Sequence, residues 1–323
     1  MRLFQRTTKR TIQFNGIALH SGRTVQVEIR PSHANSGISF QRTDLPGKPY
    51  IKATPENVLD TVLATKIGTP EAFVSTIEHL MAAFYGFGID NAVVAINHSE
   101  MPILDGSSAP FLALLDEAGV RNLDVERKYI SILKPIEIFD KRDPTKFIRI
   151  EPSKEPLLTY VIDFLENSNV IGKQQVTIQL SGHAFCEQLA FARTFCLREE
   201  VEYMQSRGLA KGGSLENAIV ISREDGVLNK QGLRNPKEFV LHKALDCIGD
   251  LSLINMPVLG HVIAHKAGHE LHTQLAMEIL AQESARTILS PSHKGEFAFL
   301  KELFSFPSSL AEIKENLHNL AIG

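Results

Sequence analysis

The chain has 323 residues, 43% of them apolar and 22% charged, with a formal net charge of −3. That length suits two ordinary cores better than one, and the composition is that of a soluble globular protein. The charge excludes a protein held on nucleic acid by global attraction, so an anionic substrate would need a local basic cluster.

Met1 to Arg10 is basic, but no apolar stretch of about 7–15 residues follows it as a signal peptide requires. No run approaches the ~20 apolar residues of a membrane span. Cys186, Cys196 and Cys247 leave an odd thiol and no paired spacing, which fits a reducing compartment. A cytoplasmic protein with no transmembrane segment and no nucleic-acid partner is expected.

In chain order, alternation predicts strands around Thr11–Phe14 and Val25–Ile29, joined by the turn Leu19-His20-Ser21-Gly22. His20 reads as an accessible turn residue, at most a support for a site. Pro and Gly punctuate short β-type runs over 31–70. A helix is predicted from near Ser75, on the stripe Val74, Ile77, Leu80, Met81 and Phe84, stopping at Gly86 and Gly88.

Asn91–Ile96 reads as a buried strand, and Met101–Pro110 as a turn-rich loop before a helix at Phe111–Ala118. Asp105-Gly106 in that loop is a turn signal. Charged, weakly patterned Arg121–Lys128 is the linker candidate. Strand character resumes from Tyr129, and a helical segment is expected at Glu199–Gln205. Asn235 and Pro236 then read as the cap and first position of a second strong helix. A strand at Gly260–Ala264, a helix from near Leu271 to about Glu283 and an amphipathic tail (Phe297, Leu300, Phe304, Leu310) complete the chain. Strands and helices alternate without a regular βαβ rhythm, so the expected class is α+β in two domains.

Chemistry concentrates on the two strong helices. At ~100° per residue, His242, Asp246 and Asp250 fall within an arc of roughly 80°. An imidazole and a carboxylate one turn apart suit zinc or a similar first-row ion. Asp250 is placed to orient a catalytic group. A solvated polar face is the competing reading. On the first helix, Ser75 and Glu78 fit a capping box, in which Glu78 bonds back to a backbone N–H. Yet His79 follows at once, and His79, His242 and Asp246 would give three ligands with a fourth position open. The HExxH order of zinc peptidases is absent. His269, after Gly268 and near Lys266, could protonate a leaving amine, with Lys266 toward a phosphate. His261, His265 and His272 are expected to be structural or surface residues.

Several of these segments together resemble one family. They are Ser-Thr-Ile-Glu-His-Leu (75–80), Gly-Ile-Asp-Asn (88–91), Pro-Ile-Leu-Asp-Gly-Ser (102–107) and Ala-Arg-Thr-Phe (192–195). Gln-Ser-Arg-Gly-Leu-Ala (205–210), His-Lys-x-x-Asp-x-Ile-Gly-Asp (242–250) and Lys-x-Gly-His (266–269) complete the set. The resemblance is to UDP-3-O-acyl-N-acetylglucosamine deacetylase, the zinc amidase of lipid A biosynthesis in Gram-negative bacteria, and runs from about residue 5 to 285.

The resemblance implies two similar α+β domains with helices packed between two sheets. It divides the chain at 1–126 and 127–290, with an inserted βαβ acyl-passage segment at about 195–213 and an extension at 291–323. It makes His79, His242 and Asp246 the ligands of Zn2+, with Fe2+ as the alternative. Glu78 becomes the base for the attacking water, His269 the acid toward the glucosamine nitrogen, Asp250 its orienting carboxylate and Thr194 an oxyanion contact. Phe195, Lys243 and Lys266 become substrate contacts. The implied partner is the UDP-3-O-acyl-N-acetylglucosamine substrate alone, met by a monomer. Two departures stand out: Ala64 where several relatives carry a cysteine, and Cys196-Leu197 after Ala-Arg-Thr-Phe. Acyl-length preference therefore does not carry over.

Overall fold

The computed structural model describes residues 4–290 apart from 167, together with 306, 307 and 309–311. Two five-stranded sheets organise it. The first runs in spatial order Ile12–Ile17, Thr24–Pro31, Ala92–Ile96, Ile38–Arg42, Tyr50–Lys52. The second runs Ile136–Phe139, Phe147–Glu151, His261–His265, Leu157–Asp163, Lys173–Gln179. Both place their fifth strand in chain order at the centre, pairing antiparallel with the second strand and parallel with the third. The chain has thus built the same mixed sheet twice. The mixed α+β class read from the sequence is the class observed.

The central strands alternate buried and partly exposed residues, as in Val25, Val27 and Ile29 or Leu158, Tyr160 and Ile162. That period of two directs one face of each sheet to a shared interior. Six helices are described: α1 (Glu78–Phe87), α2 (Ala109–Ala118), α3 (Gly182–Gln188), α4 (Arg198–Ser206), α5 (Glu238–Leu251) and α6 (His269–Ala281). α5 rests on Leu157–Asp163 and Lys173–Gln179, α6 on Ile136–Phe139 and Phe147–Glu151, and α2 on Ile12–Ile17. α1 packs between α2 and α5. Every residue of α1 except Tyr85 is buried, so the apolar stripe read from the sequence underestimates its enclosure.

Each sheet unit carries an insertion between its fourth strand and the helix that follows. In the first unit it is the small sheet Val58–Asp60, Lys66–Gly68, Phe73–Val74. In the second it includes α3 and a βαβ piece, in which Phe195–Leu197 runs parallel to Ile219–Ser222 with α4 between them.

Several sequence expectations move. α1 starts at Glu78, three residues after Ser75, because Ser75 is engaged with Ser99 and Glu100 in strand-like pairing. α5 starts at Glu238, since Asn235 caps a preceding turn by accepting from the Lys237 N–H. The proposed linker is a strand, Val120–Glu126, antiparallel to Phe4–Thr8. Its charged residues sit on a two-stranded ribbon, which hides the usual alternation. The expected tail lies mostly outside the described residues. Within it, Phe306 fills a slot where Gly88 and Gly182 carry no side chain, under the Arg127 guanidinium and edge-on to Tyr85. Arg6 donates to the Pro307 carbonyl, and the Leu310 N–H donates to Asp116.

Candidate metal centre and active site

The site forms where the start of α1 meets the inner face of α5. Thr76, two residues before α1, has φ of 59°, a left-handed backbone uncommon for a β-branched residue and a mark of stored strain. The chain turns there, so that Glu78 and His79 open the helix facing inward. Gly249 on α5 makes the approach possible, because a Cβ at that position would meet the Glu78 backbone.

His79, His242 and Asp246 bring three ligand atoms within 4.8 Å of one another. None is on a solvated face: their exposures are 4%, 2% and 3%, and Asp250 is fully buried. Asp246 Oδ1 makes no hydrogen bond among the described residues, and faces His242 Nε2 at 3.4 Å and His79 Nε2 at 3.5 Å. Two ligands about 2.1 Å from a tetrahedral ion stand roughly 3.4 Å apart. The donor set therefore fits a bound first-row cation.

Neighbouring groups prepare these ligands. Ala192 O accepts from His242 Nδ1 at 3.0 Å, which leaves Nε2 with its lone pair toward Asp246. Burial lowers the His242 pKa to about 4, so the ring is neutral and able to ligate. Lys243 Nζ donates to Asp246 Oδ2 at 2.8 Å and leaves Oδ1 free. Burial alone would raise the Asp246 pKa, but His242 and Lys243 outweigh it and hold the carboxylate ionised.

Two proton-handling groups flank the donors. Glu78 does not cap its helix. No side chain caps α1, and Glu78 Oε2 instead accepts from the Thr65 N–H at 3.1 Å, which removes the capping-box alternative. Burial raises the Glu78 pKa. His269 is the first residue of α6, and its Nδ1 donates to Asp250 Oδ2 at 2.7 Å. Burial opposes its charge, yet Asp250 and Glu78 bring its pKa up to about 9, so it is a cation at neutral pH.

Sequence reasoning missed residues behind this pair. His272 is fully buried, and its Nδ1 donates to the same Asp250 oxygen at 2.8 Å. Its Nε2 lies 3.0 Å from the hydroxyl of Tyr160, which donates to Ala267 O. His272 is three residues after His269 on α6, and that helical spacing was the available signal. Thr65 Oγ1 donates to the other Asp250 oxygen at 2.5 Å. No sequence pattern marks it.

The remaining expected residues line the approach. Phe195 packs edge-on against His242 and Phe239. Thr194 is fixed by backbone hydrogen bonds to Gly106 and Ile219. Gly106, with φ of 83°, passes so close to Asn217 O and Thr194 that a side chain would not fit, so the Asp105-Gly106 turn also serves packing. Thr194 and Phe195 open into a cavity of about 1020 Å³ whose wall is mainly apolar, from Leu19, Val62, Leu63, Cys196, Met204 and Leu209 among others. That size accommodates a substantial ligand. Lys266 adopts a left-handed turn (φ 52°) three residues before His269. His20 lines the cavity and is not among the metal donors. No helix among the described residues is long and apolar enough to cross a membrane.

Comparison with known proteins bears on this geometry. A family model described as UDP-3-O-acyl N-acetylglycosamine deacetylase matches residues 5–281. The UDP-3-O-acyl-N-acetylglucosamine deacetylase of Helicobacter hepaticus is 44% identical over 300 residues, covering 93% of this chain and 98% of the relative. Those of Campylobacter jejuni strain RM1221 (43% over 297 residues, 92% and 98% covered) and Anaeromyxobacter dehalogenans (44% over 285 residues, 88% and 90% covered) are similar.

Proposed function

The chain belongs to the UDP-3-O-acyl N-acetylglycosamine deacetylase family, and from that premise we propose how it removes the N-acetyl group of UDP-3-O-acyl-N-acetylglucosamine. The products are acetate and the free amine of the UDP-linked, 3-O-acylated sugar. The observation that carries the reading is the meeting of an unsatisfied His79–His242–Asp246 donor set with a buried carboxylate and a charged imidazole on facing helices.

His79, His242 and Asp246 hold a divalent cation, Zn2+ with Fe2+ as the alternative, and Lys243 steadies Asp246. When bound, such an ion lowers the pKa of water toward ~7 and polarises an amide carbonyl. Glu78 takes the proton of the attacking water, a role supported by its burial-raised pKa. Thr194 supports the oxyanion of the tetrahedral intermediate. His269, charged at neutral pH and aimed by Asp250, donates to the departing nitrogen. Phe195 and Lys243 contact the sugar side of the substrate, Lys266 meets its diphosphate, and the apolar cavity beside Thr194 takes the 3-O-acyl chain.

We also assign residues 1–126 and 127–290 to two domains, a division supported by the repeated strand order. The acyl-passage insertion is placed at about 195–213 and the extension at 291–323. Action as a monomer in the cytoplasm belongs to the same proposal. The decisive experiment measures metal content of the purified protein beside acetate release from the UDP-acyl-sugar, with and without a chelator. Activity lost on chelation and restored by zinc or iron(II) supports the reading. Metal-free turnover, or none with a loaded site, overturns it.

A further inference from the structure

Thr65 lies in the insertion of the first sheet unit, immediately before the strand Lys66–Gly68, and is fully buried. Its two polar ends point to different partners. The backbone N–H donates to Glu78 Oε2 at 3.1 Å, the one hydrogen bond that carboxylate receives among the described residues. The hydroxyl lies 2.5 Å from Asp250 Oδ1 and 3.3 Å from His269 Nδ1. A hydroxyl carries one proton, and an ionised Asp250 can only accept. The Thr65 proton therefore goes to Asp250, and Thr65 Oγ1 faces His269 as an acceptor. Glu78 sits on α1, whereas Asp250 and His269 sit on α5 and α6. One residue thus touches both sides of the site.

We infer that Thr65 is a positioning residue that fixes the base Glu78 and the acid His269 in one geometry, so that proton removal from water and proton delivery to nitrogen stay in register. The inference rests on the roles proposed above for those two residues. Its physical content is a short lever: the amide and hydroxyl of one residue cannot move independently by more than a fraction of an ångström. A shift at Glu78 is therefore carried to the Asp250–His269 pair. Thr65 does not touch the reacting atoms in this assignment.

The groups facing His269 are Glu78 from α1, Lys243 and Asp250 from α5, His272 from α6 and Thr65 itself. Removing the Thr65 hydroxyl takes one donor from Asp250 and makes its carboxylate more basic. The imidazolium of His269 is then held more tightly, so the alkaline limb of the pH–rate profile should move upward.

The test compares Thr65→Val, Thr65→Ala and Thr65→Ser with the parent chain in its metal-loaded form. Substitution leaves the backbone N–H in place, so only the hydroxyl arm is interrogated. Expected for valine and alanine are a ~10–100-fold lower kcat, KM within ~2-fold, unchanged metal content and an alkaline limb shifted upward, with serine restoring kcat to within a few-fold. If valine does not fold, alanine is read by the same criteria. Unchanged kcat overturns the inference. So does a fall in kcat that serine does not restore, that comes with loss of metal or that leaves the limb unmoved, because each assigns Thr65 to packing. Absence of turnover in the parent chain would instead overturn the functional reading beneath it, so the two failures are distinguishable.

Discussion

Gly249 lies against the main chain of Glu78 so closely that a Cβ on it would stand 2.1 Å from the Glu78 carbonyl oxygen. The obstacle is backbone, which no rotamer change can relieve. Gly249→Ala gains ~1 kcal/mol of helix propensity, but overpacking a tight contact costs ~1–3 kcal/mol. The expected result is net destabilisation together with a ~10²-fold loss of kcat, because displacing Glu78 by about 1 Å spoils its alignment. Thermal unfolding and kinetics at fixed metal loading check both. Wild-type kcat in this variant would show that α1 and α5 need not meet so closely.

Asp250→Asn should move the alkaline limb of kcat/KM downward from about 9, since Asp250 is what lifts the His269 pKa against its burial. The stability consequence follows from the sign. A histidine whose folded pKa is raised contributes stability that is complete below ~6.5, its unfolded value, and that is lost as pH rises through about 9. Parent stability should therefore decline over that window, and the variant should show a flatter profile in denaturant titrations at several pH values.

Glu78→Gln should reduce turnover by ~10²–10⁴ while metal content stays near stoichiometric. His79→Ala should lose the metal itself. Elemental analysis beside steady-state kinetics separates the two roles, and equal metal loss in both variants would argue that Glu78 is a ligand.

Phe306→Ala should lower stability by roughly 1–3 kcal/mol, the worth of a large apolar side chain leaving its slot. Its contacts, Gly88, Gly182, Tyr85 and Arg127, include none of the proposed catalytic groups. Turnover well below the melting temperature should therefore be unchanged. Reduced kcat at low temperature would show that the tail influences the site.

The sequence was most informative where a helix repeats chemistry at a fixed interval. The spacing of His242, Asp246 and Asp250 placed them on one side of α5, and the structure buries all three there. Order along the chain does not reveal which carboxylate oxygen remains without a partner, and that detail distinguishes a metal site from a polar helix face. Glu78 illustrates a different limit. Ser75-x-x-Glu78 satisfies a local capping rule, but Ser75 is drawn into strand pairing and the carboxylate turns to Thr65. Tertiary contacts overrode a local preference. Thr65 itself was illegible, because its two partners come from residues 13 and 185 positions away. The repeated sheet was equally hidden: its two copies agree in strand order and not in residue pattern.

That repetition bears on how the centre exists at all. α1 and α5 occupy the same place in their respective units, each entering just before the central strand. One supplies His79 and the other His242 and Asp246. The molecule is therefore arranged like a homodimer fused into one chain, with its single reaction centre astride what would have been the subunit boundary. Neither half contains a complete centre, and selection on the chemistry is at the same time selection on how the halves dock.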